Sequence, residues 1–434
     1  MVSVDLAEWE SSTPTTSKQL AGRSFDDQPA ARLLAQQLSQ QGWLTIHELR
    51  QGLEIHSTSF VGTIALGDVQ INIIPKLNFD ILGTLLRYAY QLRDLHLLEQ
   101  TAHAPAPSTF QDLLIRQLAA EVENLLARGI YRQYKPVAES LASPRGRIDI
   151  QKIASQGGLI EARLPCQHFP RHKNNILNVT LHAGLRFATR LTTDLPLRSH
   201  LRRLATKLEL TLEPETLHPL LLAQAQQALN RLTAAYAPAI RLIDLIYCGA
   251  GLAANSGEPP TLHLPGFLFD MNTFFESLIT QFLRDNLVHY QVQPQHRLTG
   301  MMAYHPAHNP RNRYAPPPRP DIALLQNGAV VALLDTKYRD LWENPLPRDM
   351  LYQLAIYALS QGKFRKATIL YPTVSQAARL QVIEIREPIS ALSVAQVCLQ
   401  PVHLPTLADI IHFPGAVGER TRIEFASKLI GQNG

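Results

Sequence analysis

Cysteine is almost missing from this chain of 434 residues: Cys166, Cys248 and Cys398 stand far apart. They form neither a paired framework nor a metal-ligand spacing, so nothing points to an oxidising compartment, and a reducing cytosol is the expected home. Long apolar runs are absent too. None approaches the roughly 18 to 20 residues of a membrane span, and the N-terminus lacks a signal-peptide pattern, so the protein is expected to be soluble and cytoplasmic. No G-x-x-x-x-G-K-[ST] loop occurs, which excludes nucleotide binding through a phosphate-cradling backbone. Any energy-driven translocation must come from a partner. Internal repeats are lacking, and charged residues are only 18% of the chain. The net charge of +5 and pI near 9.1 fit a nucleic-acid partner without requiring one.

What is present suffices for two or three domains, since 45% of the residues are hydrophobic and length alone allows more than one core. The patterning predicts a mixed α/β chain with a β-rich N-terminal domain (1–105), a mostly helical middle domain (106–255) and a C-terminal domain (256–434) built on a mixed sheet flanked by helices. Residues 1–26 open with a short apolar-polar alternation and pass into a loop from Ser11 to Ser17. A helix from about Pro29 to Gln41 follows, capped by Asp27 and stopped by Gly42. Thr58 to Ile74 alternates like a hairpin turning at Gly67-Asp68, and a short helix near Ile81 to Leu98 leads to the Pro-rich link His103 to Pro107. Helices are expected over Phe110 to Arg128 (capped by Ser108, ended by Gly129), Leu177 to Leu191 and Thr216 to Tyr236. Gly249 to Pro260 reads as a linker, and strands are expected at Thr368 to Tyr371 and Leu380 to Ile385.

The most informative feature is Arg319-Pro320-Asp321, followed fourteen residues after Asp321 by Asp335-Thr336-Lys337. Between them two apolar runs are joined by Asn327-Gly328, a strong hairpin signal, and runs so continuously apolar belong inside a sheet covered on both faces. Asp335 and Lys337, two apart on a strand, share one face. Two carboxylates suit a hard cation such as Mg²⁺ (or Mn²⁺), which would polarise a phosphoryl oxygen and acidify a bound water, with Lys337 offsetting charge on the phosphate or orienting the water. A strict two-residue turn would pair Asp321 with Leu334 and put it on the wrong face, so an odd-length connection or a bulge is predicted, with Gly328 at positive φ. Upstream, Asp270 opens an amphipathic helix to about Val288 that carries Glu276 at the margin of its apolar stripe. Downstream, a helix from Pro347 to Gln361, stopped by Gly362, places Gln353 and Tyr357 on one face.

A helix with Glu, then Asp, a hairpin, Asp-x-Lys and Gln-x-x-x-Tyr resembles the PD-(D/E)xK nuclease superfamily, in the branch that includes RecB-like nucleases. The chain is most similar to the McrC family, the nuclease subunit of modification-dependent McrBC restriction systems. The resemblance rests on Phe269-Asp270-Met271-Asn272 with Phe275-Glu276, on Arg319-Pro320-Asp321 and on Asp335-Thr336-Lys337-Tyr338. It extends to Tyr131-Arg132, Arg145-Gly146-Arg147-Ile148-Asp149, Val61-Gly62 and Ile74-Pro75-Lys76. It departs at Arg171 to Asn178, which is basic where an acidic residue is expected. The resemblance implies a PD-(D/E)xK endonuclease domain at 256–434 that cleaves double-stranded DNA. It also implies an McrB-like AAA+ GTPase partner that recognises DNA modified in the manner of 5-methylcytosine and translocates. The chain would stimulate that GTPase, with residues 1–105 engaging it.

Metal ligation is accordingly assigned to Asp321 and Asp335, with Glu276 as a further ligand or water-orienting group; Lys337 serves the attacking water, and Gln353 and Tyr357 position the phosphate. Candidate DNA contacts are Arg311, Arg313 and Arg319 in the Pro-rich stretch 306–320, and Arg145 and Arg147 in the basic stretch 128–152. His305 and His308 read as surface residues. Two rivals remain at this point: a non-catalytic assembly subunit that activates the GTPase, and a RecB-like repair exonuclease acting without an AAA+ partner.

Overall fold

Alternation of apolar and polar residues between Val2 and Ile74 gives strands. Val2–Ala7 runs parallel to Val69–Ile74, which is antiparallel to Phe60–Leu66, and Gly266–Asp270 completes the sheet. Its hairpin turns where the sequence indicates, with Gly67 at a φ of 60°. Beside it, Leu44–Leu49, Gly52–Ser57 and Ser11–Ser12 make a second antiparallel sheet, and the Pro29–Gln40 helix buries Leu34 and Leu38. That helix is capped at Gln28 rather than Asp27, with no side-chain bond.

The structure is a computed structural model that describes residues 2–92, 109–155, 162–209, 215–250, 266–361 and 365–431. The protein is a mixed α/β chain in two compact units, one of residues 1–92 with 268–434, the other of residues 93–267. The boundaries expected near 105 and 255 and the link His103 to Pro107 lie outside the described residues, as do Ser108, Gly362 and residues 93–98 of the helix expected to Leu98; the described part of that helix is Phe79–Ala89.

In the first unit a six-stranded mixed sheet runs in the order Gln291–Pro294, Ile322–Gln326, Ala329–Thr336, Lys366–Thr373, Ser393–His403 and Gln381–Arg386. The hairpin therefore occupies the sheet's interior, as its continuous apolar runs require. Leu333, Ala367, Ile369, Val397 and Leu399 form a core with Leu354, Tyr357 and Ala358 of the helix Arg348–Ser360. The helix Met271–Asn286, capped by the Asp270 carboxylate accepting from the Asn272 N–H, buries Phe274, Phe275, Leu278, Ile279 and Phe282 completely. Side chains of this size stabilise by about 1.5–3 kcal/mol each when fully buried, which fixes this helix firmly.

The second unit is mostly helical. Phe110–Arg128 forms over the expected span, capped by the Thr109 hydroxyl, and Ile176–Leu191 is capped by Asn175. The long helix expected from Thr216 to Tyr236 is instead Pro219–Gln227, a turn and the short 3-10 helix Ala234–Tyr236, with a separate helix, Ala237–Ala250, beyond it. The Thr233 hydroxyl donates to Ala228 O and accepts from Asn230 N–H, offering the backbone a local alternative to the helix. The basic stretch forms a small sheet of Val137–Leu141, Leu164–His168 and Arg147–Ile148. Its atypical neighbour, Arg171 to Asn178, has a structural role. The Asn178 amide donates to Tyr131 O (2.9 Å) and Lys173 O (2.7 Å), while Tyr236 donates to Asn178 Oδ1 at 2.7 Å. Among the described residues no helix is long and apolar enough to cross a membrane.

Candidate active site

The hairpin solves the register problem in the strand. Asn327 and Gly328 both take positive φ, 52° and 79°, in a two-residue turn pairing Gln326 with Ala329. The pairing then slips: Leu325 faces Val330 but Leu324 faces Ala332, so Val331 is the extra residue of a bulge. Beyond it Ile322 faces Leu334, and one further step sets Asp321 against Asp335.

The charged groups gather accordingly. Lys337 Nζ lies 3.0 Å from Asp335 Oδ2 and 3.9 Å from Asp321 Oδ2. Asp321 Oδ2 also accepts from the Thr336 N–H (2.8 Å) and hydroxyl (2.9 Å), so the residue that strand alternation turns away still serves the site. Asp335 is only 2% exposed. Burial, then the neighbouring Asp321 charge, push its carboxyl up to about 6 despite Lys337. Burial acts to lower Lys337, but Asp335 and Asp321 outweigh it and leave the ammonium above its ordinary value. Lys337 thus keeps its positive charge at neutral pH.

Glu276 arrives from the helix Met271–Asn286 and is held by a residue that sequence reasoning missed. The Gln295 amide donates to Glu276 Oε1 at 2.5 Å and reaches Asp321 Oδ1 at 3.5 Å. Gln295 has a φ of 51°, and its N–H donates to Asp321 O at 2.6 Å. No sequence signal marks it. Burial first, and the Asp321 charge, raise the Glu276 carboxyl, while Gln295 opposes the rise. Gln353 donates to the Tyr357 hydroxyl at 2.8 Å. Tyr357 is raised chiefly by burial and also by the charges of Asp335 and Asp321, so it belongs to the same electrostatic cluster.

Arg319 donates to Gln295 O at 3.2 Å, which anchors the loop that precedes Asp321. Arg311 and Arg313 are exposed in that loop, where Asn309 and Arg313 bond reciprocally. His305 and His308 are exposed, as expected, with rings 5.2 Å apart. Arg145 and Arg147 are exposed in the second unit.

Among the described residues no three His, Cys, Asp or Glu side chains close into a metal-holding group. Glu276 meets the pair through Gln295, so Asp321 and Asp335 are the residues that could hold a metal directly. That set fits a hard cation, which Mg²⁺-type sites bind through one or two carboxylates plus water and substrate oxygens. Asp335 Oδ1, buried and without a hydrogen-bond partner, is the free acceptor such an ion needs.

Fold and site together define a mixed α/β protein with an acidic pair and a lysine at the end of a buried hairpin. The model of the McrBC 5-methylcytosine restriction system component family matches residues 55–372, and the chain belongs to that family. Its fold is similar, at 18% identity and a TM-score of 0.64, to a chain of the refined half-complex from the tetradecameric assembly of Thermococcus gammatolerans McrB AAA+ hexamers with bound McrC. That similarity covers 98% of this chain and 100% of the other. A chain of the Thermococcus gammatolerans McrBC complex matches over 67% of this chain and 89% of its own, at 21% identity and a TM-score of 0.48. No curated protein matches.

Proposed function

We propose that the chain is the Mg²⁺-dependent DNA endonuclease subunit of a modification-dependent restriction complex, acting with an AAA+ GTPase partner whose hydrolysis it stimulates. The observation that carries this reading is the convergence of Asp321, Asp335 and Lys337, with a buried carboxylate oxygen left free. Membership of the McrBC component family supports the restriction role, and a fold shared with a chain solved among McrB AAA+ hexamers supports such a partner.

Asp321 and Asp335 would hold the cation, which when bound polarises the scissile phosphate and lowers the pKa of a water. The protein supplies the rest. Lys337 stabilises negative charge that grows on the phosphate, and it does so from a partly buried position where the field is screened less than in water. Thr336 and Gln295 fix Asp321 and Glu276, so neither has to reorganise during the reaction. Glu276, with a raised pKa and no direct seat in the pair, is placed to orient water. Exposed Arg311 and Arg313 would lie along the DNA backbone as phosphate contacts.

The test is cleavage of methylated and unmethylated plasmid by the full chain, with and without a candidate AAA+ partner, beside Asp335→Ala. Cleavage of methylated DNA that needs Mg²⁺ and partner, and that Asp335→Ala abolishes while GTP hydrolysis stays stimulated, is expected. Undiminished cutting by Asp335→Ala would refute the site. Loss of both activities in a folded variant would refute the division of labour.

A further inference from the structure

Three hydrogen bonds from outside the six-stranded sheet converge on Tyr338, the residue after Lys337. Its N–H donates to Asn272 Oδ1 at 3.2 Å, its carbonyl accepts from the Trp9 indole N–H at 3.1 Å, and its hydroxyl donates to Glu8 Oε1 at 3.3 Å. Two of these partners lie at the end of the first strand of the chain. Asn272 is linked to the same strand end through a neighbouring segment: its amide donates to Ser59 Oγ at 2.5 Å, and the Trp9 N–H donates to the adjoining Thr58 O at 3.3 Å. The Tyr338 ring meets Phe275, the neighbour of Glu276, edge-on at 6.1 Å.

The arrangement sits where the sheet stops supporting the chain. Strand pairing ends at Thr336, and the last backbone bond to the neighbouring strand is Lys337 N–H to Leu370 O at 3.0 Å. The next peptide plane joins the Lys337 carbonyl to the Tyr338 N–H, so whatever fixes Tyr338 also fixes the base of the lysine side chain. Trp9 serves that purpose in an unusual backbone state. Its φ of 58° is a left-handed conformation that a bulky residue keeps only where the surroundings impose it. The Arg339 guanidinium lies 5.6 Å from the Trp9 ring centroid, a second contact from the same segment to the strand end.

We propose that Glu8 and Trp9 are positioning residues of the active site. By holding Tyr338 they keep Lys337 aligned with Asp335 and Asp321, so the N-terminal segment is part of the catalytic geometry as well as of any partner contact. The proposal rests on the nuclease reading above. It adds a requirement that the acidic motifs alone do not contain.

Trp9→Phe keeps an aromatic ring beside Arg339 while removing the indole donor and part of the ring; Tyr338→Phe removes only the hydroxyl. Both are tested in the full chain with its AAA+ partner, beside Asp335→Ala, by single-turnover plasmid cleavage at saturating Mg²⁺, DNA affinity and thermal unfolding. The expected result is a cleavage rate lower by roughly 10- to 100-fold, the scale of a misplaced catalytic group, with DNA affinity and the Mg²⁺ requirement unchanged. Wild-type rates in both variants, with Asp335→Ala inactive, would overturn the proposal and leave the nuclease reading standing. A rate loss matched by lost DNA affinity and a lower melting temperature would reduce the contact to general stability and overturn it too. Cleavage by Asp335→Ala at the wild-type rate would remove the nuclease reading, and the proposal with it.

Discussion

Replacing Glu8 with Gln should stabilise the first unit at alkaline pH and do far less at acid pH. Glu8 is 1% exposed, and burial, opposed by the Lys76 N–H, the Tyr338 hydroxyl and the Lys76 charge, pushes its carboxyl from 4.5 up to about 7. The folded protein therefore holds a proton that the unfolded chain releases above pH 4.5. Stability from this group is complete below 4.5 and is lost as the pH climbs through 7. At about 1.36 kcal/mol per pH unit the full loss is about 3 kcal/mol, most of it between pH 5 and pH 8. Gln cannot ionise, and its carbonyl can replace Oε1, which accepts both the Lys76 N–H and the Tyr338 hydroxyl. Denaturant unfolding followed by tryptophan fluorescence is suited to the measurement, because Trp9, Trp43 and Trp342 all belong to the first unit. Glu8→Gln should gain about 2–3 kcal/mol on wild type between pH 5 and pH 8. A difference between the two proteins that is the same at both pH values would show that Glu8 is not buried as a neutral acid.

Lys337→Ala keeps both aspartates, so Mg²⁺ titration should be little changed while single-turnover cleavage falls about 10²- to 10³-fold; near wild-type cleavage would remove Lys337 from the mechanism. Lys337→Arg should recover little, because the planar guanidinium is bulkier than the ammonium. Gln295→Ala releases Glu276 from a hydrogen bond to a charged group, worth about 1.5–3 kcal/mol. Cleavage should slow by roughly tenfold or more at unchanged DNA affinity, and an unaltered rate would leave Gln295 a bystander. Asn178→Ala strips three bonds from the hub of the second unit and should cost about 2–4 kcal/mol. Hydrogen exchange in the helix Ile176–Leu191 reads this directly, and unchanged protection there would contradict the role given to the hub.

The parts of the site that were legible in the sequence are those set by short-range rules. The Asn-Gly turn, the two-residue alternation and the parity argument required an odd-length connection or a bulge between Asp321 and Asp335, and Val331 supplies the bulge. Helix periodicity likewise located Glu276, Gln353 and Tyr357 on their elements. What stayed hidden depends on contacts across the fold. Gln295 follows an edge strand with no distinguishing neighbour, and its bridge from Glu276 to Asp321 exists only once helix and hairpin have met. Glu8 and Trp9 read as the end of a short alternating run. The break at Ala228 to Thr233 was missed because helical periodicity is blind to a threonine hydroxyl competing for the backbone.

A unit assembled from both ends of the chain matures late on the ribosome. Glu8 must wait for Tyr338, 330 residues later, which at about 5–20 residues per second is roughly 15 to 65 s of synthesis. Residues 93–267 are contiguous and complete themselves first, so the middle of the chain can fold before the beginning does. Translation products that stop short of Asp335 carry the N-terminal sheet but neither Asp335 nor Lys337. On the proposed function, a chain that stops before Asp335 cannot cut DNA, and any chain that reaches Lys337 already carries Glu8 and Trp9 with it.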